Sequence, residues 1–173
     1  MIEELHDPEL RSSAQQRLVA MGPEAIPALI RALTDEHEYV RRAAAAALDK
    51  IDPQWHKTAE ATAAIPALIR ALTDEDSDVR RAAALALERI GPAATAAIPA
   101  LLTAVADKDK YVRQAAIWAL GQIGPAATAA IPALIAALAD EKWRVRQAAA
   151  KALDKIDPQW RSTTASIGSS QRD

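Results

Sequence analysis

Two landmarks recur in step along the sequence. The Pro of an Ile-Pro-Ala-Leu or similar run stands at Pro27, Pro66, Pro99 and Pro132, and the Val of a Val-Arg pair at Val40, Val79, Val112 and Val145. Both series advance by 39, 33 and 33 residues. A period of this size, kept at two places in each unit, marks one supersecondary module stacked on copies of itself, with its core between neighbours instead of at one centre. The modules are helical. Ile26, Leu29, Ile30 and Leu33, then Ile65, Leu68, Ile69 and Leu72, follow the i, i+3, i+4, i+7 spacing of one helix face, and no strand alternation competes with it. Val40, Ala44, Ala47, Leu48 and Ile51 repeat that pattern in the second half of the unit. Each unit is therefore two helices, and the fold class is all-α.

The junctions agree. Gly91-Pro92 and Gly124-Pro125 place Gly where a helix ends in the left-handed region and Pro where the next begins. Pro27, Pro66, Pro99 and Pro132 fall about a turn inside the first helix, so a bend is expected there. Acidic loops such as Asp74 to Asp78 precede the second helix and favour its positive end. Leu10 to Met21 align with the second half of a unit, so the array opens on a half-repeat. Ser13 and Arg17 replace Ala82 and Ala86 there, with Gln15 and Gln16 beside them, which is the polar surface of a cap and places Met1 close to a true start. The first interval is longer because Asp52 to Glu60 replaces the compact Gly-Pro junction. The octet Leu48 to Trp55 recurs identically at Leu153 to Trp160, 105 residues on. Residues 1–160 are read as the repeat array. Residues 161–173, rich in Ser and Thr without periodicity, are read as a mostly disordered tail.

Ala, Leu, Ile and Val fill the periodic positions, with no Phe and only four Trp and two Tyr, so the core must be made of closely approaching helices. Lys and Arg number 21 against 23 Asp and Glu, a net charge of −2, which argues against a chain built mainly for nucleic acid or anionic membrane. Without Cys, disulfides and thiolate chemistry are excluded. The start lacks a basic, apolar leader, and no run approaches the roughly 18 apolar residues of a membrane span. The expectation is a soluble, cytoplasmic chain.

Pro, then Asp eight residues later, then Val-Arg five and six beyond that Asp, resembles the HEAT repeat in the short bacterial form of phycobilin lyase subunits. Four units match: Pro27, Asp35, Val40, Arg41; Pro66, Asp74, Val79, Arg80; Pro99, Asp107, Val112, Arg113; Pro132, Asp140, Val145, Arg146. The resemblance implies a right-handed α-solenoid, an opening half-repeat plus four helix pairs, with second helices lining a concave face. It also implies that the Asp and Arg residues stack as a ladder between units. At about 10 Å per layer the groove would run on the order of 45 Å.

Catalysis needs convergent polar groups that do not repeat, and the chain offers none. His37-Glu38 invites comparison with the paired His-Glu motifs of deoxyhypusine hydroxylase, but the aligned pairs are Asp76-Ser77, Asp109-Lys110 and Lys142-Trp143, so a metal site fails three times out of four. No phosphate loop or nucleophile motif is present, and no cofactor or metal is expected. Variation is concentrated elsewhere. After the ladder Arg come Arg42, Arg81, Gln114 and Gln147; six residues after the Val come Ala46, Leu85, Trp118 and Lys151; just before it come Tyr39, Asp78, Tyr111 and Arg144, with Trp143 adjoining. Helical spacing puts these on the side of the second helix turned away from the first.

A constant core with one variable, aromatic-bearing face is built for recognition. The expected function is a non-enzymatic scaffold for a protein or peptide partner, bound through Tyr39, Arg42, Arg81, Leu85, Tyr111, Gln114, Trp118, Trp143, Arg144, Gln147 and Lys151. The alternatives are a nucleic-acid-backbone binder, disfavoured by mixed charge, and an accessory subunit of a chromophore lyase, which rests on the resemblance. Trp55 and Trp160 read as plugs over the end of a second helix. Helix 145–156 keeps Ala148, Ala149 and Ala152 as if for a further neighbour, so that end is expected to be covered by Trp160 or by end-to-end self-association.

Overall fold

A computed structural model describes residues 11–33, 35, 37–48, 50–51, 57 and 59–162, and among these the secondary structure is helical throughout, without a strand. Helix α1 (Arg11–Ala20) opens the array. The first pair is α2 (Ile26–Ala32) with α3 (Glu38–Leu48), and the short α4 (Ala59–Ala63) leads into α5 (Ile65–Ala71) and α6 (Ser77–Ile90). Then come α7 (Ile98–Ala104) with α8 (Lys110–Ile123) and α9 (Ile131–Ala137) with α10 (Trp143–Ile156). The result is an α-solenoid of a half-repeat and four pairs. The insertion at Trp55 and the tail beyond residue 162 lie outside the described residues.

First helices are only seven residues of α-helix because the Gly-Pro junctions shape what precedes them. Gly91 and Gly124 end α6 and α8 at φ 65° and 77°, a region that side chains with a Cβ rarely enter. The chain then runs as 3-10 helix over Gly91–Ala97 and Gly124–Ala130. The local break falls at Ala94 (φ −86°, ψ 24°) and Ala127 (φ −93°, ψ 25°), five residues before the prolines at which a bend was expected. Pro99 and Pro132 instead occupy the first turn of α7 and α9, where a missing N–H leaves no helical acceptor unsatisfied.

The expectation that no segment approaches the length and apolarity of a membrane span is corrected by two continuous helical stretches. Within Ser77–Ala104 and Lys110–Ala137, windows of 18 residues reach mean hydropathies of 1.3 and 1.4. Each is a second helix, a 3-10 segment and the next first helix in succession, broken at Gly91 or Gly124. Their apolar residues include the array's own buried core, among them Val79, Leu87, Leu101, Val112, Leu120 and Leu134.

The second helices form the tighter layer: α1 lies against α3, α3 against α6, α6 against α8 and α8 against α10. Alanines make this possible. Ala82, Ala83 and Ala86 of α6, Ala115, Ala116 and Ala119 of α8, and Ala148, Ala149 and Ala152 of α10 are all buried, and their short side chains let backbones approach. At Gly121 the approach leaves no room for a side chain, since a Cβ there would stand 3.0 Å from the Ala152 Cα and 3.1 Å from its Cβ.

Across the three boundaries between the four pairs runs an Arg–Asp ladder. Arg41 Nε lies 2.8 Å from Asp74 Oδ2, Arg80 Nε donates to Asp107 Oδ2 at 2.7 Å, and Arg113 Nε to Asp140 Oδ2 at 2.8 Å. In the last two pairs Nη2 adds a second bond to the other oxygen, at 2.9 and 3.1 Å, which makes them bidentate forks. The same guanidinium reaches back into its own unit: Arg80 Nη1 donates to the carbonyls of Asp74 and Glu75, and Arg113 Nη1 to those of Asp107 and Lys108. Each Asp also folds its loop, since Asp74, Asp107 and Asp140 accept the N–H two residues on at 2.8–2.9 Å.

The ends differ. Ser13 and Arg17 are exposed on α1, whereas their counterparts Ala82 and Ala86 are buried, so the opening helix does turn a polar surface outward. At the other end Arg146 keeps its carbonyl contacts with Asp140 and Glu141 but is itself exposed. Trp160, only 8% exposed, has joined the core, and its indole N–H donates to Asp154 Oδ1 at 2.9 Å. Asp154 occupies the position at which Gly121 meets the following unit, so Trp160 covers the side of α10 where a next unit would dock.

Two outcomes are expected from this packing. Arg113 and the Lys142 N–H hold the Asp140 carboxyl below its ordinary range. At Asp107 burial pushes upward, but the hydrogen bonds from Arg80 and the Asp109 N–H, with the positive charge, outweigh it and leave that group lowered too. A carboxyl lowered in the folded state stabilises fully above its unfolded value, near pH 4, and loses that contribution as pH falls through the folded value. Urea unfolding should therefore show this contribution intact from neutral pH down to about pH 5 and decaying below about pH 4. Asp140→Asn should cost about 2 kcal/mol at neutral pH and flatten the acid limb; an acid limb of unchanged slope would contradict this. Separately, Gly121→Ala should lower stability by roughly 1–3 kcal/mol despite alanine's better helix propensity, because the obstructing atoms include backbone. An unchanged or raised Tm would refute that.

Candidate functional site

Side-by-side stacking of α3, α6, α8 and α10 aligns equivalent positions into rows. One row is Tyr39, Asp78, Tyr111 and Arg144; the next Arg42, Arg81, Gln114 and Gln147; then Ala46, Leu85, Trp118 and Lys151; then Lys50, Arg89, Gln122 and Lys155. The two halves of this face are arranged differently. Tyr39 is half-buried against the core, its ring 5.2 Å from that of His37. Arg42 reaches across the boundary to Asp76, Nε to Oδ2 2.7 Å, and Arg81 sits 3.8 Å from Asp78. Leu85 packs partly against the core. In this half the polar groups are engaged by the array itself.

The half formed by α8 and α10 is open. Tyr111, Trp118 and Trp143 are 45%, 38% and 58% exposed, and no ring contact joins Trp118 to Trp143. Gln114 is half-buried, while Arg144, Gln147 and Lys151 are exposed. Lys110 Nζ lies 4.9 Å from the Tyr111 ring centre, and the Arg144 guanidinium 5.4 Å from that of Trp143, both within cation–π range. Lys155 Nζ donates to Gln122 Oε1 at 3.0 Å and bridges the two helices. Between the N-terminal turns of α8 and α10 is a depression of about 300 Å³, lined by Lys110, Tyr111, Gln114, Lys142, Trp143, Arg144 and Val145.

Sequence reasoning missed Lys142. It stands where Asp76 and Asp109 cap α6 and α8 by accepting backbone N–H groups, and no side chain caps α10 in their place. The signal was the interrupted Asp series at that offset. It also missed a larger depression, about 970 Å³, at the far end of α6, lined in part by Lys57, Leu85, Glu88, Arg89 and Gln122. Burial there pushes the Glu88 carboxyl up, against the pull of Arg89 and Lys155 and a hydrogen bond from Gln122.

His37 is engaged within its own loop, where its N–H donates to Asp35 Oδ1 at 2.9 Å and Nδ1 lies 3.2 Å from the same oxygen. Among the described residues no group of three or more His, Asp or Glu could hold a metal ion. The open half offers contact chemistry: flat aromatic surface, amides and cations.

The family model for HEAT repeats matches residues 1–63, 56–109 and 98–166. Comparison with curated protein sequences finds no match. Among solved structures the chain is similar to the complex of CpcE and CpcF of phycocyanin lyase from Nostoc sp., at 31% identity and TM-score 0.68, covering 94% of this chain and 66% of that one. It is similar to an engineered protein at 24% identity and TM-score 0.73, covering 90% and 77%. A designed armadillo repeat protein in complex with the peptide (KR)4 shares the fold at 20% identity and TM-score 0.76, covering 97% and 86%.

Exposed rings among cations should report themselves in fluorescence. Iodide, drawn to local positive charge, should quench part of the Trp emission more strongly than caesium at low salt, and that part should vanish in a Trp118→Phe, Trp143→Phe variant. Equal quenching by the two ions would contradict the local charge described here.

Proposed function

The chain belongs to the HEAT-repeat family, and on that footing we propose that it is a non-enzymatic scaffold that binds an extended peptide or a helical segment of a protein partner across its second helices. The observation that carries this reading is the division of labour within each unit. The ladder and the buried Val, Ala and Leu positions are constant, while the outward rows vary and hold Tyr111, Trp118 and Trp143 at the surface. Large, stiff aromatics supply much of the energy at interfaces for little lost entropy. The centre of binding is the α8–α10 half. Tyr39, Arg42, Arg81 and Leu85 form its engaged margin. Likeness to a designed repeat protein holding a peptide supports the same use of the fold.

A second reading is favoured by one observation, the 31% identity to the CpcE–CpcF complex. In that reading the chain pairs with another repeat subunit as an accessory of a chromophore lyase. Nucleic acid is disfavoured by the mixed charge of the full face.

Affinity capture with the intact chain and with a Trp118→Ala, Trp143→Ala variant tests the proposal. The double change should weaken binding by about 2 kcal/mol or more with little effect on the helical signal. Retained affinity in this variant, together with loss on changing Arg31 and Arg70 of the first helices, would move the interface to the opposite face. Capture of a lyase subunit, with chromophore transfer that depends on this chain, would select the second reading.

A further inference from the structure

Resting on the reading of this face as a peptide-binding surface, we infer that the depression between the N-terminal turns of α8 and α10 takes an acidic segment of the partner, with carboxylate side chains beside an apolar or aromatic one. The chain as a whole carries a net charge of −2, but its charge is unevenly placed. Helices α8 and α10 hold Lys110, Arg113, Arg144, Arg146, Lys151 and Lys155 and a single acid, Asp154. That acid is occupied by the Trp160 indole and by Arg161, at 2.9 and 2.6 Å, on the end face of the array.

The cations can be separated by what they already do. Arg113 is committed to Asp140 in the ladder, Arg146 to the carbonyls of its own loop, and Lys155 to Gln122. Lys110 and Arg144 have only the rings of Tyr111 and Trp143 for company. Lys142 has Glu141 at 3.5 Å, but that carboxylate is 71% exposed, and such a pair in water contributes little. Three cations without a strong partner therefore edge one small depression that has no acid in its lining. A guanidinium or ammonium resting on an aromatic face keeps N–H donors free at its rim, so a carboxylate can be added without dismantling the cation–π contact. The Tyr111 and Trp143 rings provide the surface for an apolar neighbour in the same segment. At about 300 Å³ the space is at the small end of ligand sites and suits a few side chains of a longer segment.

The limited extent of the positive charge also sets the class of partner. Toward the N-terminus Arg81 lies beside Asp78, Arg42 is held by Asp76, and Glu88 adds a carboxyl. The free cations that edge the depression come from two units only. A nucleic-acid strand needs positive charge at successive phosphates along its path, whereas an acidic stretch of a few residues needs only this patch.

The test is selection of a random dodecamer peptide display library on the full chain, followed by fluorescence polarisation of the recovered peptides and of a 15-nucleotide oligo-dT. The expected result is recovered peptides enriched in Asp and Glu next to Leu, Phe, Trp or Tyr. Their binding should weaken with salt and fall roughly tenfold or more in a Lys110→Glu, Arg144→Glu variant that keeps the wild-type helical signal and Tm. Recovered peptides without acidic bias, whose binding is lost in Trp118→Ala, Trp143→Ala but not on charge reversal, would overturn the inference and leave peptide binding standing. No recovered peptide would overturn both. Oligo-dT binding tighter than any peptide would replace the acidic segment by a nucleic-acid strand.

Discussion

One guanidinium per boundary fixes where the next unit sits. Arg80 and Arg113 each grip two carbonyls of their own loop and both oxygens of the following unit's Asp, and that Asp in turn shapes the loop that starts the next second helix. The position of one unit is thereby passed to its neighbour through a single planar fork. Such bonds are directional where apolar contact is not. Alanine-faced helices could slide past one another with little loss of buried area, and the ladder removes that freedom. The ladder uses none of the exposed aromatics Tyr111, Trp118 and Trp143, which stay at the surface.

Separation of duties explains why so much was legible in the sequence. The ladder and core impose fixed residue types at fixed offsets, so Pro27, Asp35, Val40 and Arg41 and their counterparts announced units, pairs and boundaries. Polar residues at Ser13 and Arg17 announced an outward polar surface on α1 in the same way, and Trp160, read as a plug over the end of a second helix, is buried. What was not legible depends on distances between helices. Nothing in Ala-Leu-Gly-Gln says that Gly121 marks a close approach to Ala152 and not merely a weak helix position. Tyr39 looked equivalent to Tyr111 by register, yet it lies against the core while Tyr111 stays exposed. The bend assigned to the prolines moved to Ala94 and Ala127, because Gly-Pro starts a 3-10 turn and the α-helix takes over only near the second proline.

The candidate face was recognisable as a set of positions but not as a shape. Row membership follows from register alone, and it joins the exposed Tyr111 and Trp118 to Tyr39, which lies against the core, with the exposed Trp143 adjoining. Which members are engaged by the array depends on partners two loops away, as Arg42 with Asp76 illustrates. Lys142 escaped notice because the eye follows what repeats, and its importance lies in replacing a capping Asp.

The forward reach of each ladder Arg has a consequence for how such a chain can change in length. Because the carboxylate always comes from the following module, removal or duplication of a 33-residue period rejoins an Arg to an Asp with the same offset. A fractional change would leave a guanidinium facing the wrong residue. Length is therefore quantised: the array can be spliced only in whole modules, and extra residues are admissible only where the first interval has them, in the junction after a second helix and outside the Asp-to-Arg spacing. The same octet stands once inside the array, at Leu48 to Trp55, and once beside α10, at Leu153 to Trp160, so this turn is compatible both with a following pair and with Trp160 folded onto the helix it follows.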